Sequence, residues 1–171
     1  MTEIIVAKSA GFCFGVQRAV DTVYSEIENG DKIYTFGPII HNAEVVSDLE
    51  KRGVMVISDL EEVKHLDRGT IIIRSHGVSK ETSDVLYNSN LKVVDTTCPF
   101  VKKIHNIVER DSRQGKRIVV IGSRNHPEVM GIIGWCAPDN PATVIETIDE
   151  ANDFSKDYER EITIEKIIGF I

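Results

Sequence analysis

The stretch TIIIRSHGVSKETSDVLYNSNLKVVDTTCPF, residues 70–100, carries the fold in miniature. Thr70 to Ile73 is a β-branched run and predicts a central strand. Lys80 to Asn88 reads as a helix, and Leu91 to Val94 returns to strand. Pro99 then opens a further helix at its first turn, a position where its missing N–H has no intrahelical partner to lose. Strand, helix, strand, helix is the rhythm of an α/β protein.

The same rhythm extends both ways. Upstream, Ile4 to Ala7 predicts a short buried strand. Val16, Ala19, Val20, Val23 and Ile27 then recur at helical spacing until Asn29-Gly30 stops the helix. Lys32 to Phe36 reads as a strand, Ala43 to Lys51 as a helix closed by Gly53, and Val54 to Ile57 as another strand. Downstream, Val101 to Arg113 is a helix with Ile104, Ile107 and Val108 on one face, ended by Gly115. Arg117 to Gly122 is a strand, Glu128 to Trp135 a weaker helix and Thr143 to Ile145 a further strand. From Ser155 the tail is charged and then apolar, with an interrupted strand-like run from Ile162 to Ile171. The expected architecture is repeated small α/β units with mostly parallel sheets, divided in the Asp95–Cys98 region. No repeat at solenoid spacing and no low-complexity tract is present.

Composition narrows the function classes. Among 171 residues, 42% are hydrophobic and 27% charged, as in a chain with a packed core and a solvated surface. A formal net charge of -7 argues against broad attraction to nucleic acid or anionic lipid, though not against a small basic pocket. The first residues make a poor secretory signal, and no stretch is long and apolar enough to span a bilayer. A cytoplasmic protein is expected. Its three cysteines, Cys13, Cys98 and Cys136, are then core thiols, metal ligands or nucleophiles rather than a disulfide framework.

The reactive residues share one placement. Cys13 follows the first expected strand, His41 the second, Ser75-His76-Gly77 the Thr70–Ile73 strand, Cys98 the Leu91–Val94 strand, and His126-Pro127-Glu128 the Arg117–Gly122 strand. Open α/β sheets bind ligands beyond the carboxyl ends of their strands, so five such segments point to one site. Gly11 and Gly15 near Cys13 would let backbone approach a bulky ligand. Cys98 precedes a helix start, where a thiolate is stabilised. Cys136, beyond a helix, reads as structural. His41, His76 and His126 are three imidazole donors able to hold a phosphate or diphosphate. His65, in a charged connector, and His105, on a helix among lysines, read as ordinary polar residues. Glu128, desolvated at such an edge, would keep its proton and deliver it; a helix-start glutamate in solvent is the plainer alternative.

With these residues in hand, the chain resembles the IspH/LytB family of 4-hydroxy-3-methylbut-2-enyl diphosphate reductases. The resemblance lies in Gly11-Phe12-Cys13-Phe14-Gly15-Val16, His41-Asn42, Ser75-His76-Gly77-Val78, Asp95-Thr96-Thr97-Cys98-Pro99 and His126-Pro127-Glu128-Val129, in family order to about Ala151. It implies an iron–sulfur oxidoreductase with a [4Fe–4S] cluster held by three cysteines, two of them Cys13 and Cys98. It also implies His41, His76 and His126 as ligands of the small-molecule diphosphate substrate, Glu128 in the proton path, and an external electron donor of ferredoxin or flavodoxin type. The implied fold has three similar α/β units: residues 1–12 as a strand joining the third, 13–96 as the first unit and 97–171 as the second, incomplete at its end. The family's third cysteine and its Thr-Gln-Thr-Thr motif have no counterpart here, and Cys136 matches neither. The expectation is an inactive fragment of a truncated or frameshifted sequence. Two other chemistries fit the residues alone. One is a cysteine-dependent phosphatase with Cys13 as nucleophile and Arg18 as clamp, and the other a zinc-binding module on Cys13, Cys98 and a histidine.

Overall fold

The computed structural model describes residues 4–5, 10–154 and 162–166. Helix α1 (Phe14–Glu28) leads into β1 (Ile33–Phe36), α2 (Ala43–Lys51), β2 (Met55–Ile57), α3 (Leu60–Lys64), β3 (Thr70–Ile73), α4 (Lys80–Tyr87) and β4 (Lys92–Asp95). These strands form one sheet, ordered β2-β1-β3-β4. After α5 (Pro99–Arg113) come β5 (Arg117–Ile121), α6 (Pro127–Ile133), β6 (Thr143–Ile145), α7 (Ile148–Asp153) and β7 (Ile162–Lys166), giving a second sheet ordered β6-β5-β7. Every described strand pair is parallel.

Strand β3 shows why this arrangement forms. All four of its residues are buried, and successive side chains point to opposite faces. Ile72 packs with Ala19, Val20 and Val23 of α1 and Leu49 of α2. Ile71 and Ile73 pack on the other face with Val63 of α3 and Leu86 of α4. Helices therefore cover both faces of the first sheet, as a β-branched run with no polar alternation requires. In the second sheet, Ile118 and Val120 of β5 pack against Val108 of α5 and Val129 and Ile132 of α6.

Two short helices, α3 and α7, lie where the sequence offered too few residues to establish a helical period. Neither was expected from the sequence, and their capping residues are the one local signal that was on offer. Asp59 accepts the Glu61 N–H at 2.9 Å. Thr147 and Glu150 close a reciprocal capping box. The tail strand is real: β7 pairs with β5 from Arg117↔Ile162 to Ile121↔Lys166. The buried strand expected over Ile4–Ala7 is not seen at its described residues, since Ile4 and Ile5 carry no strand and are 85% and 83% exposed. Residues 6–9 lie outside the described residues.

Strand order places the loops. In the first sheet β2 lies on one side of β1 and β3 on the other, so the connections after β1 and β3 leave in opposite directions. The crevice this opens at their carboxyl ends is where open α/β sheets bind ligands. The loop after β1 carries His41 and the loop after β3 carries His76.

Candidate functional site

Three imidazoles converge at that crevice. The His41 and His76 ring centroids are 4.9 Å apart, with His126 at 5.9 Å from the first and 5.6 Å from the second. One nitrogen from each ring lies within 4.8 Å of the others. His126 comes from the second sheet, as the N-cap of α6, and is brought across by contacts between the two halves. The Trp135 indole N–H donates to the Val78 carbonyl at 2.8 Å, and the Lys80 N–H donates to the Gly134 carbonyl at 3.3 Å. A Cβ on Gly134 would lie 2.3 Å from Ser79 Cβ, so the approach of α6 to the loop after β3 requires glycine there.

The protonation of the cluster follows from its surroundings. The Glu128 backbone N–H donates to His126 Nδ1 at 3.2 Å. A backbone N–H can only donate, so Nδ1 is unprotonated and Nε2 carries the proton, leaving a neutral ring with a donor to offer. Burial pulls the His76 pKa down to about 4, with His41, Arg74 and His126 adding to the fall. His126 is lowered by burial, then by His41 and Arg74. His76 Nδ1 is buried with no hydrogen-bond partner. His76 is therefore neutral near pH 7. The Glu128 carboxyl, half-buried beside His126, is pushed up by desolvation, which favours its protonated form.

The two thiols of interest cap two helices. Cys13 is the N-cap of α1 and Cys98 of α5, and neither side chain makes a capping hydrogen bond. The helices meet at these ends. A Cβ built on Gly15, in the first turn of α1, would lie 2.7 Å from Cys98 Sγ. Arg18 strengthens the junction, its Nη2 donating to the Thr97 carbonyl at 2.6 Å. Cys98 is in turn tied to the imidazole cluster, because its N–H donates to the Ser75 carbonyl at 2.8 Å, one residue before His76. Soft sulfur donors with no protein partner, at a junction where only glycine leaves room, suit an iron–sulfur cluster. Arg18 Nη2 is turned to the Thr97 carbonyl at the helix junction, an orientation that does not favour a phosphate clamp over Cys13. Cys136 lies apart, half-buried on the core around α5 and α6, and burial pushes its thiol up to about 11.

The sequence reading missed the frame behind these residues. His105 is buried (3% exposed) and stacks on Trp135 at 5.2 Å, with Nε2 unpartnered, so it is not the ordinary polar residue expected of a histidine among lysines. Its position, four residues after Val101 and three before Val108, put it on the apolar face of α5, and that spacing was the available signal. A Cβ on Gly77 would lie 2.7 Å from His105 Cε1, so this ring backs the His76 loop. Arg74 gave no comparable signal.

Two parallel α/β sheets with thiols and imidazoles gathered at one edge define the class: an α/β protein with a candidate ligand site beyond its strand ends. Within that class, the chain belongs to the LytB protein family, whose sequence model matches residues 4–168. It is 53% identical over 151 residues to a 4-hydroxy-3-methylbut-2-enyl diphosphate reductase of Thermoanaerobacter sp. (strain X514), covering 87% of this chain and 52% of that protein. It is 43% identical over 156 residues to the reductase of the same name from Clostridioides difficile (strain 630), covering 91% and 54%. The chain thus spans about half the length of the curated relatives it matches. The structure superposes on the E-1-hydroxy-2-methyl-but-2-enyl-4-diphosphate reductase of Plasmodium falciparum with a TM-score of 0.85 at 29% identity, covering 95% of this chain and 50% of that one. A second solved reductase, described as the terminal enzyme of the non-mevalonate pathway, matches with a TM-score of 0.74 at 33% identity, covering 97% and 68%. The relatives are reductases, so the family is one of oxidoreductases. No described helix is long and apolar enough to cross a membrane.

Proposed function

We propose that this chain supplies two α/β units, residues 13–96 and 97–171, of a reductase acting on 4-hydroxy-3-methylbut-2-enyl diphosphate. Residues 1–12 are assigned to a third α/β unit, in keeping with the 171 residues spanning about half the length of the relatives. The reaction replaces an allylic C–O bond by C–H: two electrons and two protons enter, water leaves, and isopentenyl and dimethylallyl diphosphates result. The observation that carries this reading is the contact between the first turn of α1 and Cys98 Sγ, beside three converging imidazoles.

In this reading Cys13 and Cys98 would be two of the thiolates holding a [4Fe–4S] cluster, which when bound would supply electrons received from a ferredoxin- or flavodoxin-type donor. His41, His76 and His126 donate hydrogen bonds to the diphosphate, and the His126 tautomer presents Nε2–H to it. Glu128, its pKa raised by desolvation, is the group that delivers a proton to the departing hydroxyl. At the imidazoles a Zn²⁺ ion would be opposed by the nearby Arg74 cation, which favours an anion there instead. Phe12, Phe14 and Phe100, beside the two cysteines, are 41%, 67% and 74% exposed, consistent with a further unit covering this edge.

Anaerobic reconstitution with iron and sulfide tests the reading. The native chain should gain broad visible absorption that bleaches on reduction, and Cys13→Ser or Cys98→Ser should abolish it. A colourless, zinc-loaded native protein would reject the cluster assignment. With a chemical reductant and substrate, residues 1–171 alone should turn over little or not at all, because they span only about half the length of the reductases they match.

A further inference from the structure

The imidazole cluster has a feature that neutral hydrogen-bond donors do not account for. Arg74 is the first residue after β3 and is half-buried, with Nε out of solvent and unpartnered. No carboxylate among the described residues pairs with it, and burial alone pulls its pKa down. Its guanidinium lies over Gly37, the turn that leads from β1 towards His41. A Cβ at Gly37 would fall 2.6 Å from Nη1 and 3.2 Å from Cζ. Gly37 also has φ 71°, so this turn needs glycine for its backbone and for the arginine above it. The Arg74 charge is felt at both His76 and His126.

A half-buried cation without a counter-charge is unfavourable unless an anion joins it, and guanidinium does not escape by deprotonating. The chain holds Arg74 beside the crevice between β1 and β3, where His41 and His76 meet. We propose that Arg74 is a further substrate-binding residue, supplying the fixed positive charge with which this pocket holds the diphosphate. The division of labour is then physical. Three imidazoles shape the hydrogen bonds, and one arginine offsets the charge. This inference rests on reading the imidazole cluster as the anion site and goes beyond it by naming where the charge comes from.

The test is calorimetric titration of the 171-residue chain with inorganic pyrophosphate near pH 7.5, at fixed salt, for the native protein, Arg74→Gln and Arg74→Lys. Arg74→Gln should bind about ten- to a hundredfold more weakly, the range expected for losing one charge-assisted contact. Arg74→Lys, which keeps the charge, should stay within about threefold. Histidine NMR titration gives a readout that a packing role would not move. The charges facing His76 are His41, His126 and Arg74, so Arg74→Gln should raise its pKa and Arg74→Lys should not. Unchanged affinity in Arg74→Gln overturns the inference and leaves the cluster reading standing. Equal weakening in both variants with no movement of the His76 titration makes Arg74 a packing residue only and also overturns it. Should Arg74→Gln fail to fold, a folded Arg74→Lys weakened more than tenfold overturns it as well. No pyrophosphate binding by the native chain overturns both this inference and the anion reading beneath it.

Discussion

Replacing Gly15 by alanine probes the contact on which the thiol site depends. The added Cβ would sit 2.7 Å from Cys98 Sγ and 3.1 Å from Cys98 Cβ. Ordinary heavy-atom contact begins near about 3.5 Å, so the first turns of α1 and α5 must separate by roughly 0.8 Å. Overpacking of this kind costs about 1–3 kcal/mol, and alanine in a helix returns up to about 1 kcal/mol relative to glycine. Gly15→Ala should therefore destabilise the metal-free chain by about 0–2 kcal/mol in urea unfolding. The same change made in a Cys98→Ala background should cost less, since the nearest remaining neighbour is the Cβ at 3.1 Å. The cycle should show a coupling of about 1 kcal/mol or more between the two positions, and iron uptake by Gly15→Ala should fall as the thiols move apart. Additivity within about 0.5 kcal/mol would refute the reasoning, because neighbours in contact do not behave as independent sites.

Cys136→Ser should leave iron and sulfide uptake at the native level, read by metal and sulfide content. It should lower stability by about 1 kcal/mol, since a hydroxyl replaces a half-buried thiol on an apolar core. His105 should make the fold acid-sensitive. Burial pulls its pKa down to about 4, opposed by the Asp95 charge and reinforced by Lys102. The unfolded chain, with a pKa near 6.5, therefore takes up the proton first. Stability is intact above about pH 6.5, falls as pH drops and is fully lost below about pH 4, amounting to about 2 kcal/mol at pH 5. His76 titrates in the same window, so His105→Gln should remove about half of the decline between pH 7.5 and 5 in urea unfolding, and an unaltered decline would contradict the assignment.

The parts of this fold legible in the sequence were those governed by local rules. The β-branched run at Thr70 to Ile73 needed no neighbour to read as an interior strand, because both faces of such a strand are buried. The glycines and caps around α1, α2, α4 and α5 marked their ends within a residue or two. Helix α3 spans Leu60–Lys64 and α7 Ile148–Asp153, too short for a period to show, and only their capping residues could have revealed them. The tail strand Ile162–Lys166 was ambiguous because a strand at a sheet margin is decided by its partner, here β5.

The site divides in the same way. Which residues carry reactive chemistry, and that His41, His76, Cys98 and the His126–Glu128 segment each follow a strand, is a property of the chain order: a parallel sheet sends every strand end to one side. Sequence alone therefore nominated Cys13, His41, His76, Cys98, His126 and Glu128. That a ring from the second sheet lies within 6 Å of two rings from the first, that Cys98 rests on the first turn of α1, and that His105 and Arg74 are buried behind them was decided by tertiary structure. Those distances and pKa shifts arise from desolvation and from contacts between elements far apart in the chain, and neither leaves a local pattern in the residues that make them.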